Sequence, residues 1–199
     1  VGRSQYVVEH YLEYSSQDGY SLGRREFLYA DTDSVVEPAV KAYEGYISPA
    51  VQQGTVIGTD GNPEGRLVIQ YYYDCKKHQL TLHGVCKNYL DVEDETNTVK
   101  YGMYIEPQRR MGYTFGGWYE DQAYTKLFTE LMPDKDFELF AKWIPDSRQY
   151  TIVHYIQDLY GIYQVKEIEK GTAETGSFVT AQPKSYPGFT APEAEEVQI

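Results

Sequence analysis

Apolar and polar side chains alternate strictly where the chain opens. Tyr6, Val8, His10, Leu12 and Tyr14 fall on one face of an extended segment, and Val7, Glu9, Tyr11 and Glu13 on the other. A period of two marks a strand with one side turned to a core. Ser15-Ser16-Gln17-Asp18-Gly19 supplies turn chemistry, and a second strand runs from Tyr20 to Tyr29, so the opening predicts a β-hairpin. Residues 35–43 fit a short strand or an irregular crossing. Thr59-Asp60-Gly61-Asn62-Pro63 predicts a further turn. It leads into Leu67-Val68-Ile69-Gln70-Tyr71-Tyr72-Tyr73, a strand with Leu67, Ile69, Tyr71 and Tyr73 on one side.

This pattern occurs twice. Gln5-Tyr6-Val7-Val8-Glu9-His10-Tyr11-Leu12 returns as Gln149-Tyr150-Thr151-Ile152-Val153-His154-Tyr155-Ile156, and after a loop one residue shorter, 20–49 matches 163–192 without a gap. Glu26, Ala30, Thr32, Ser34, Lys41, Tyr43, Gly45 and Pro49 recur as Glu169, Ala173, Thr175, Ser177, Lys184, Tyr186, Gly188 and Pro192. The expected layout is therefore A–B–A: a first module over 1–75, a different one over 76–144, and a truncated second copy of the first over 145–199. The second copy is expected to lack the counterpart of 51–74, the closing strands. A strand left without its neighbour exposes unpaired backbone groups, so this half module is expected to pair with another chain or to fray.

The middle module begins with a strand at Gln79-Leu80-Thr81-Leu82, followed by a polar, acidic connection over 88–98 and a return from Val99. Near its end, Phe137, Leu139, Ala141 and Trp143 alternate inward against Glu138 and Lys142. Between them stand Gly112-Tyr113-Thr114-Phe115-Gly116-Gly117-Trp118-Tyr119 and the Met132-Pro133 turn, and the last strand reads Leu139-Phe140-Ala141-Lys142-Trp143. These three blocks, in order, resemble the Listeria–Bacteroides repeat, the internalin-type B-repeat of bacterial surface proteins. Gly84-Val85-Cys86-Lys87-Asn88 replaces that family's Gly-rich first turn. The two A copies look like the mucin-binding-protein-like modules that alternate with such repeats. The combined resemblance implies an α+β, mostly β fold: tandem small β-grasp-like modules in an elongated array on a Gram-positive-type cell surface.

Composition narrows the function classes. A net charge of -12 over 199 residues repels phosphate backbones and anionic lipid, which argues against nucleic acid as a partner. No apolar run approaches the roughly 20 residues that span a bilayer, so no membrane insertion of this segment is expected. Opening at Val1 without methionine, the chain reads as a piece of a larger protein. Tyrosine is the anomaly, 21 residues against 7 phenylalanines, and favours strands with half-wet aromatic faces.

Candidate chemistry is sparse. Cys75 and Cys86, eleven positions apart with His78 and His83 between them, lack zinc or CxxC spacing and are expected to be free thiols. His10 and His154 occupy equivalent places on the apolar face of a strand and are expected to be packed, hydrogen-bonded core imidazoles. His78 and His83 are expected at the surface. Asp91-Val92-Glu93-Asp94-Glu95 has no glycine and no alternating ligand pattern, so a solvated loop is expected rather than a calcium site. Tyr113, Phe115, Trp118, Phe137, Leu139, Phe140 and Trp143 are expected to be mostly core. Within Tyr71-Tyr72-Tyr73, at least one ring must face away from its neighbours.

No nucleophile elbow, P-loop or dinucleotide fingerprint is present, and modules near 70 residues have little interior for a cleft. No catalytic, cofactor-binding or metal residue is assigned, no cofactor is expected, and ligand-binding residues are left unassigned. The expectation is a non-enzymatic extracellular stalk of a bacterial surface protein, its modules contacting one another. The competing expectation is an adhesin for host mucin, glycan or matrix protein, with exposed tyrosines as its platform.

Overall fold

The opening alternation forms strand β1 (Arg3–Glu13), which turns at Ser15–Gly19 into β2 (Tyr20–Asp31). The computed structural model describes residues 2–58 and 65–199. The turn expected at Thr59-Asp60-Gly61-Asn62-Pro63 lies outside the described residues. Two short strands, β3 (Val35–Val36) and β5 (Gly54–Thr55), pair with each other, and β4 (Tyr46–Ile47) lies between them in sequence. The segment rich in tyrosine forms β6 (Val68–Cys75), which lies parallel to β1 with His10 opposite Tyr71 and Leu12 opposite Tyr73. The sheet order is β2-β1-β6-β4. Because β1 is an inner strand, side chains on both its faces are covered. Tyr6, Val8 and His10 join Val56, Ile69, Tyr71 and Tyr73 in the core, while Val7 and Glu9 are buried on the other side. Each fully buried apolar side chain contributes roughly 1.5–3 kcal/mol, which makes Tyr71 and Tyr73 principal supports of this sheet.

The next four strands are β7 (Lys77–Val85), β8 (Glu93–Lys100), β9 (Tyr113–Tyr119) and β10 (Phe137–Pro145). Their order is β8-β7-β10-β9, with β7 and β10 parallel and both outer pairs antiparallel. Strand for strand this is the arrangement of the first sheet: a hairpin, a crossover, and a last strand beside the first. The two segments show no repeat in sequence, so the shared topology emerges only in three dimensions. Leu80, Leu82, Val99, Ile105, Trp118, Met132, Leu139 and Ala141 form its core, with Phe115, Phe137 and Trp143 packed against it.

The last segment contains a hairpin of β11 (Ser147–Gln157) and β12 (Tyr163–Glu174), and a pair of β13 (Phe178–Ala181) with β14 (Glu195–Gln198). It follows the first segment in detail. Both hairpins shift register at the same place, between His10 and Tyr11 and between His154 and Tyr155. Val56 N–H donates to Ser34 and Ile199 N–H to Ser177, at 2.9 and 3.0 Å.

Several expectations need correction. The counterpart of β5 is present as β14, so the repeat runs on to Ile199, and of the strands of the first sheet it is β6 that has no counterpart within residues 147–199. The acidic stretch is not a loop throughout: β8 begins at Glu93. As an edge strand it buries little besides Val99, so its composition hides it. Tyr113 and Phe140 lie outside the core; Tyr113 receives the Arg110 guanidinium on its ring and Phe140 stacks on His83. The fold is mostly β, every named element is a strand, and no α-helix occurs among the described residues.

Successive sheets join through single residues, Lys76 and Asp146, and both joints follow one scheme. Lys76 N–H donates to the Gly45 carbonyl and its own carbonyl accepts from Tyr101 N–H, at 2.8 and 2.9 Å. Asp146 N–H donates to the Gly112 carbonyl and its carbonyl accepts from Thr175 N–H, both at 2.9 Å. Each glycine sits at positive φ, 75° and 77°, immediately before the third strand of its sheet. A side chain at Gly45 would enter the Tyr101 ring, and one at Gly112 would come within 2.6 Å of Thr175. The first joint also carries the Lys100–Glu13 ion pair at 2.7 Å and an edge-on contact between Tyr46 and Tyr101.

Candidate functional site

The repeated histidines sit at the centre of the A-type segments. His10 is fully buried, its Nε2 3.1 Å from Glu26 and its Nδ1 2.8 Å from the Tyr73 hydroxyl. Lys41 closes on the same carboxylate at 3.1 Å. Burial pushes the Glu26 carboxyl up, but bonds from Lys41 and His10 outweigh it and hold it below its ordinary value. Tyr73 is anchored again by Lys41 N–H at 2.8 Å, and burial raises its phenol. The Tyr71 hydroxyl donates to the Pro38 carbonyl at 2.6 Å and accepts from Gln52 N–H at 3.1 Å, standing between the two chain segments. Both ring nitrogens of His10 and the hydroxyls of Tyr71 and Tyr73 have partners, as a packed, hydrogen-bonded imidazole requires, while the buried Tyr43 hydroxyl beside them has none among the described residues.

The last segment keeps the same set without its closing strand. His154 Nε2 lies 2.9 Å from Glu169, and Lys184 binds Glu167 and Glu169 at 2.5 and 2.6 Å. The bonds from Lys184 and then His154 hold the Glu169 carboxyl low, and the two carboxylates raise the Lys184 ammonium. Where β6 lies in the first sheet, an open groove of about 870 Å³ runs along β11. His154, Ile156, Ala181, Lys184, Tyr186 and Phe189 are among the residues that line it. Sequence reasoning located the unpaired strand but not this preformed cleft, whose signal was the survival of His154, Glu169, Lys184 and Tyr186.

The surface tyrosines divide into separate groups. Tyr72 lies flat on Tyr11 and receives Tyr20 edge-on, both at 5.1 Å between ring centres. Asp74 accepts from the Tyr20 hydroxyl and pushes that phenol up to about 12. Tyr71 and Tyr73 are core, and Tyr46 and Tyr101 are spent in the joint. In the last segment Tyr155 and Tyr163, the counterparts of Tyr11 and Tyr20, stand 54% and 66% exposed, without a ring between them.

The remaining candidates do not converge. Cys75 and Cys86 are free and buried, and burial raises the Cys75 thiol. His78 and His83 are not lone surface residues: each is partly buried and bonded to an aspartate at 2.9 Å, Asp134 and Asp94 respectively. Sequence spacing could not show these partners, since Asp134 comes from a distant loop. Asp94 also accepts from Gly84 N–H, and Glu93 binds Lys87, so part of the acidic run ties β8 to the β7 turn. Among the described residues, no three His, Cys, Asp or Glu gather as a metal set. No protein-family model matches the chain, and no curated protein matches it.

Proposed function

We propose that the chain is a non-enzymatic repeat region of a bacterial surface protein, acting as an extracellular stalk built from small β-grasp-like modules. In this reading the middle module is of the Listeria–Bacteroides repeat type and its neighbours are of the mucin-binding-protein-like type. The observation that carries the proposal is the joint scheme used twice. A single linker residue is hydrogen-bonded on one side to the preceding sheet and on the other to the following one, which resists bending at each joint. Sheet order supports the β-grasp-like comparison, since a hairpin, a crossover and a last strand parallel to the first occur in both four-stranded sheets. The usual helix of that fold is replaced here by irregular chain.

Residual dipolar couplings on the whole chain test the stalk. The two four-stranded sheets are expected to share one alignment tensor, and independent tensors would overturn the proposal. A second reading, adhesion to mucin, glycan or matrix protein, is favoured by the exposed Tyr72 and Tyr20 rings, which pack with the half-buried Tyr11. Weak sites of this kind gain by avidity along an array. Saturable binding to a mucin or glycan panel, abolished by Tyr72→Ala, would establish it. No binding under multivalent presentation leaves the stalk alone.

A further inference from the structure

We propose that Tyr11 and Tyr72 form a site of oxidative cross-linking, at which a peroxide and a haem peroxidase join the two rings and staple β1 to β6. The inference rests on neither the stalk nor the adhesion reading. The two residues stand opposite each other on neighbouring parallel strands, far apart in sequence. Strand alternation turns Tyr72 outward while Tyr71 and Tyr73 enter the core. The Tyr11 and Tyr72 ring centres lie 5.1 Å apart, with the planes 15° from parallel. Tyr72 is 45% exposed and Tyr11 half-buried, so an oxidant reaches the pair from solvent.

The phenol ends are held side by side. Tyr11 donates to Glu9 at 2.8 Å and Tyr72 to Gln70 at 3.2 Å, and Glu9 and Gln70 are themselves a cross-strand pair, bonded at 2.9 Å. Both hydroxyls therefore point along the strands in one direction, which sets the ring carbons ortho to them on facing rings. The other tyrosine pairs lack this arrangement. Tyr43 and Tyr73 meet at 88° within the core, and Tyr46 and Tyr101 at 73° and 6.0 Å in the first joint. Tyr119 and Tyr124 meet at 77° with the Lys142 ammonium over both rings. Tyr20 reaches Tyr72 edge-on, at 78°. Among the tyrosine pairs of the described residues, Tyr11 and Tyr72 alone meet face to face.

Each phenol gives one electron to the peroxidase and loses one proton. For Tyr11 the proton acceptor is in place, the Glu9 carboxylate, and its bond raises the phenol above its ordinary value. The phenolate is then not populated near neutral pH, and the proton leaves together with the electron. The Tyr72 proton passes to water. The two phenoxyl radicals combine through a carbon–carbon bond between ortho carbons, and the two displaced ortho hydrogens return through water as hydroxyl protons when the rings regain aromaticity. One hydrogen peroxide takes up the two electrons and two protons and becomes two molecules of water. The new bond closes a long loop across the β1–β6 pairing that unfolding must break. That is the kind of constraint a disulfide supplies, and the two cysteines, both free, supply none.

The test treats the dilute whole chain with substoichiometric hydrogen peroxide and a haem peroxidase. A monomeric product with dityrosine fluorescence is expected, lighter than the parent by the mass of two hydrogen atoms. Fragment mass spectra are expected to place the bond between Tyr11 and Tyr72, and the purified product to unfold at higher denaturant than the untreated chain. Tyr11→Phe and Tyr72→Phe each keep a ring in place and are each expected to abolish the monomeric product. Tyr20→Phe is expected to leave its yield unchanged. A bond mapped to Tyr20 or to any other tyrosine overturns the proposal, as does dityrosine found only between chains. An undiminished yield from Tyr72→Phe overturns it as well. An unchanged denaturation midpoint in the cross-linked product would show that the bond does not staple β1 to β6 and would overturn that role.

Discussion

Tyr73 shows how much one hydroxyl decides. It is fully buried, and its hydroxyl is shared between Nδ1 of His10, also fully buried, and the N–H of the partly buried Lys41. Tyr73→Phe keeps the ring but leaves both donor and acceptor unpaired, so a loss of about 1–3 kcal/mol is expected in denaturant unfolding of the first sheet. Tyr72→Phe, whose hydroxyl meets only the exposed Gln70 side chain, is expected within about 0.5 kcal/mol of the parent. Equal costs at the two positions would contradict the assigned network. The neighbouring carboxylate carries a pH signature. Folding holds Glu26 below its ordinary value of 4.5, so its contribution is complete above that pH and fades as pH falls through the lower folded value. Glu26→Gln is expected to flatten the acid limb of the stability profile, and an unchanged limb would show that other carboxylates dominate it.

Strands β1 and β11 compare an element with and without its neighbour. The two have matching alternation and matching hairpin partners, yet β1 is flanked on both sides and β11 on one. Val8 is fully buried, while Ile152 in the same position is only half-buried. Amide exchange is expected to be markedly faster along β11 than along β1 in the monomer. Equal protection would mean that the open edge is already satisfied. Edge position also explains why β8 escaped sequence reading. Its residues 93–98 are charged or polar on both faces, because an edge strand needs little apolar surface and gains from charges that deter pairing.

Across the molecule, the two joints are the features that decide whether the chain behaves as a stalk. The common part of the scheme uses only main-chain hydrogen bonds of Lys76 and Asp146, and each linker side chain adds a bond of its own, Lys76 to Asp134 at 2.6 Å and Asp146 from Thr114 at 2.9 Å. The two glycines are constrained twice over, since each combines positive φ with a close approach from the next segment. Gly112→Val is expected to break the second joint while leaving both flanking sheets folded. Small-angle scattering would then record a broader distribution of dimensions, with near-unchanged sheet chemical shifts. Gly188 is the counterpart of Gly45, and nothing lies within 4 Å of a side chain built there, so Gly188→Ala carries only the backbone cost of its φ of 85°.

Reading the chain by itself was enough to establish its period-two strands, the duplication and the inward tyrosines of the 67–73 segment. Those properties are local: side-chain alternation and turn chemistry are written within a few residues. It also pointed to His10 and His154 as packed imidazoles, because a histidine on an apolar strand face needs buried partners. The partners themselves were out of reach, since Tyr73 lies 63 residues from His10 and Asp134 lies 56 from His78. The common sheet order of two unrelated segments, the extension of the repeat to Ile199 and the glycine-built joints were likewise decided by the tertiary structure. Each depends on main-chain hydrogen bonds, which carry no side-chain signature, so only the assembled fold brings the donors and acceptors together.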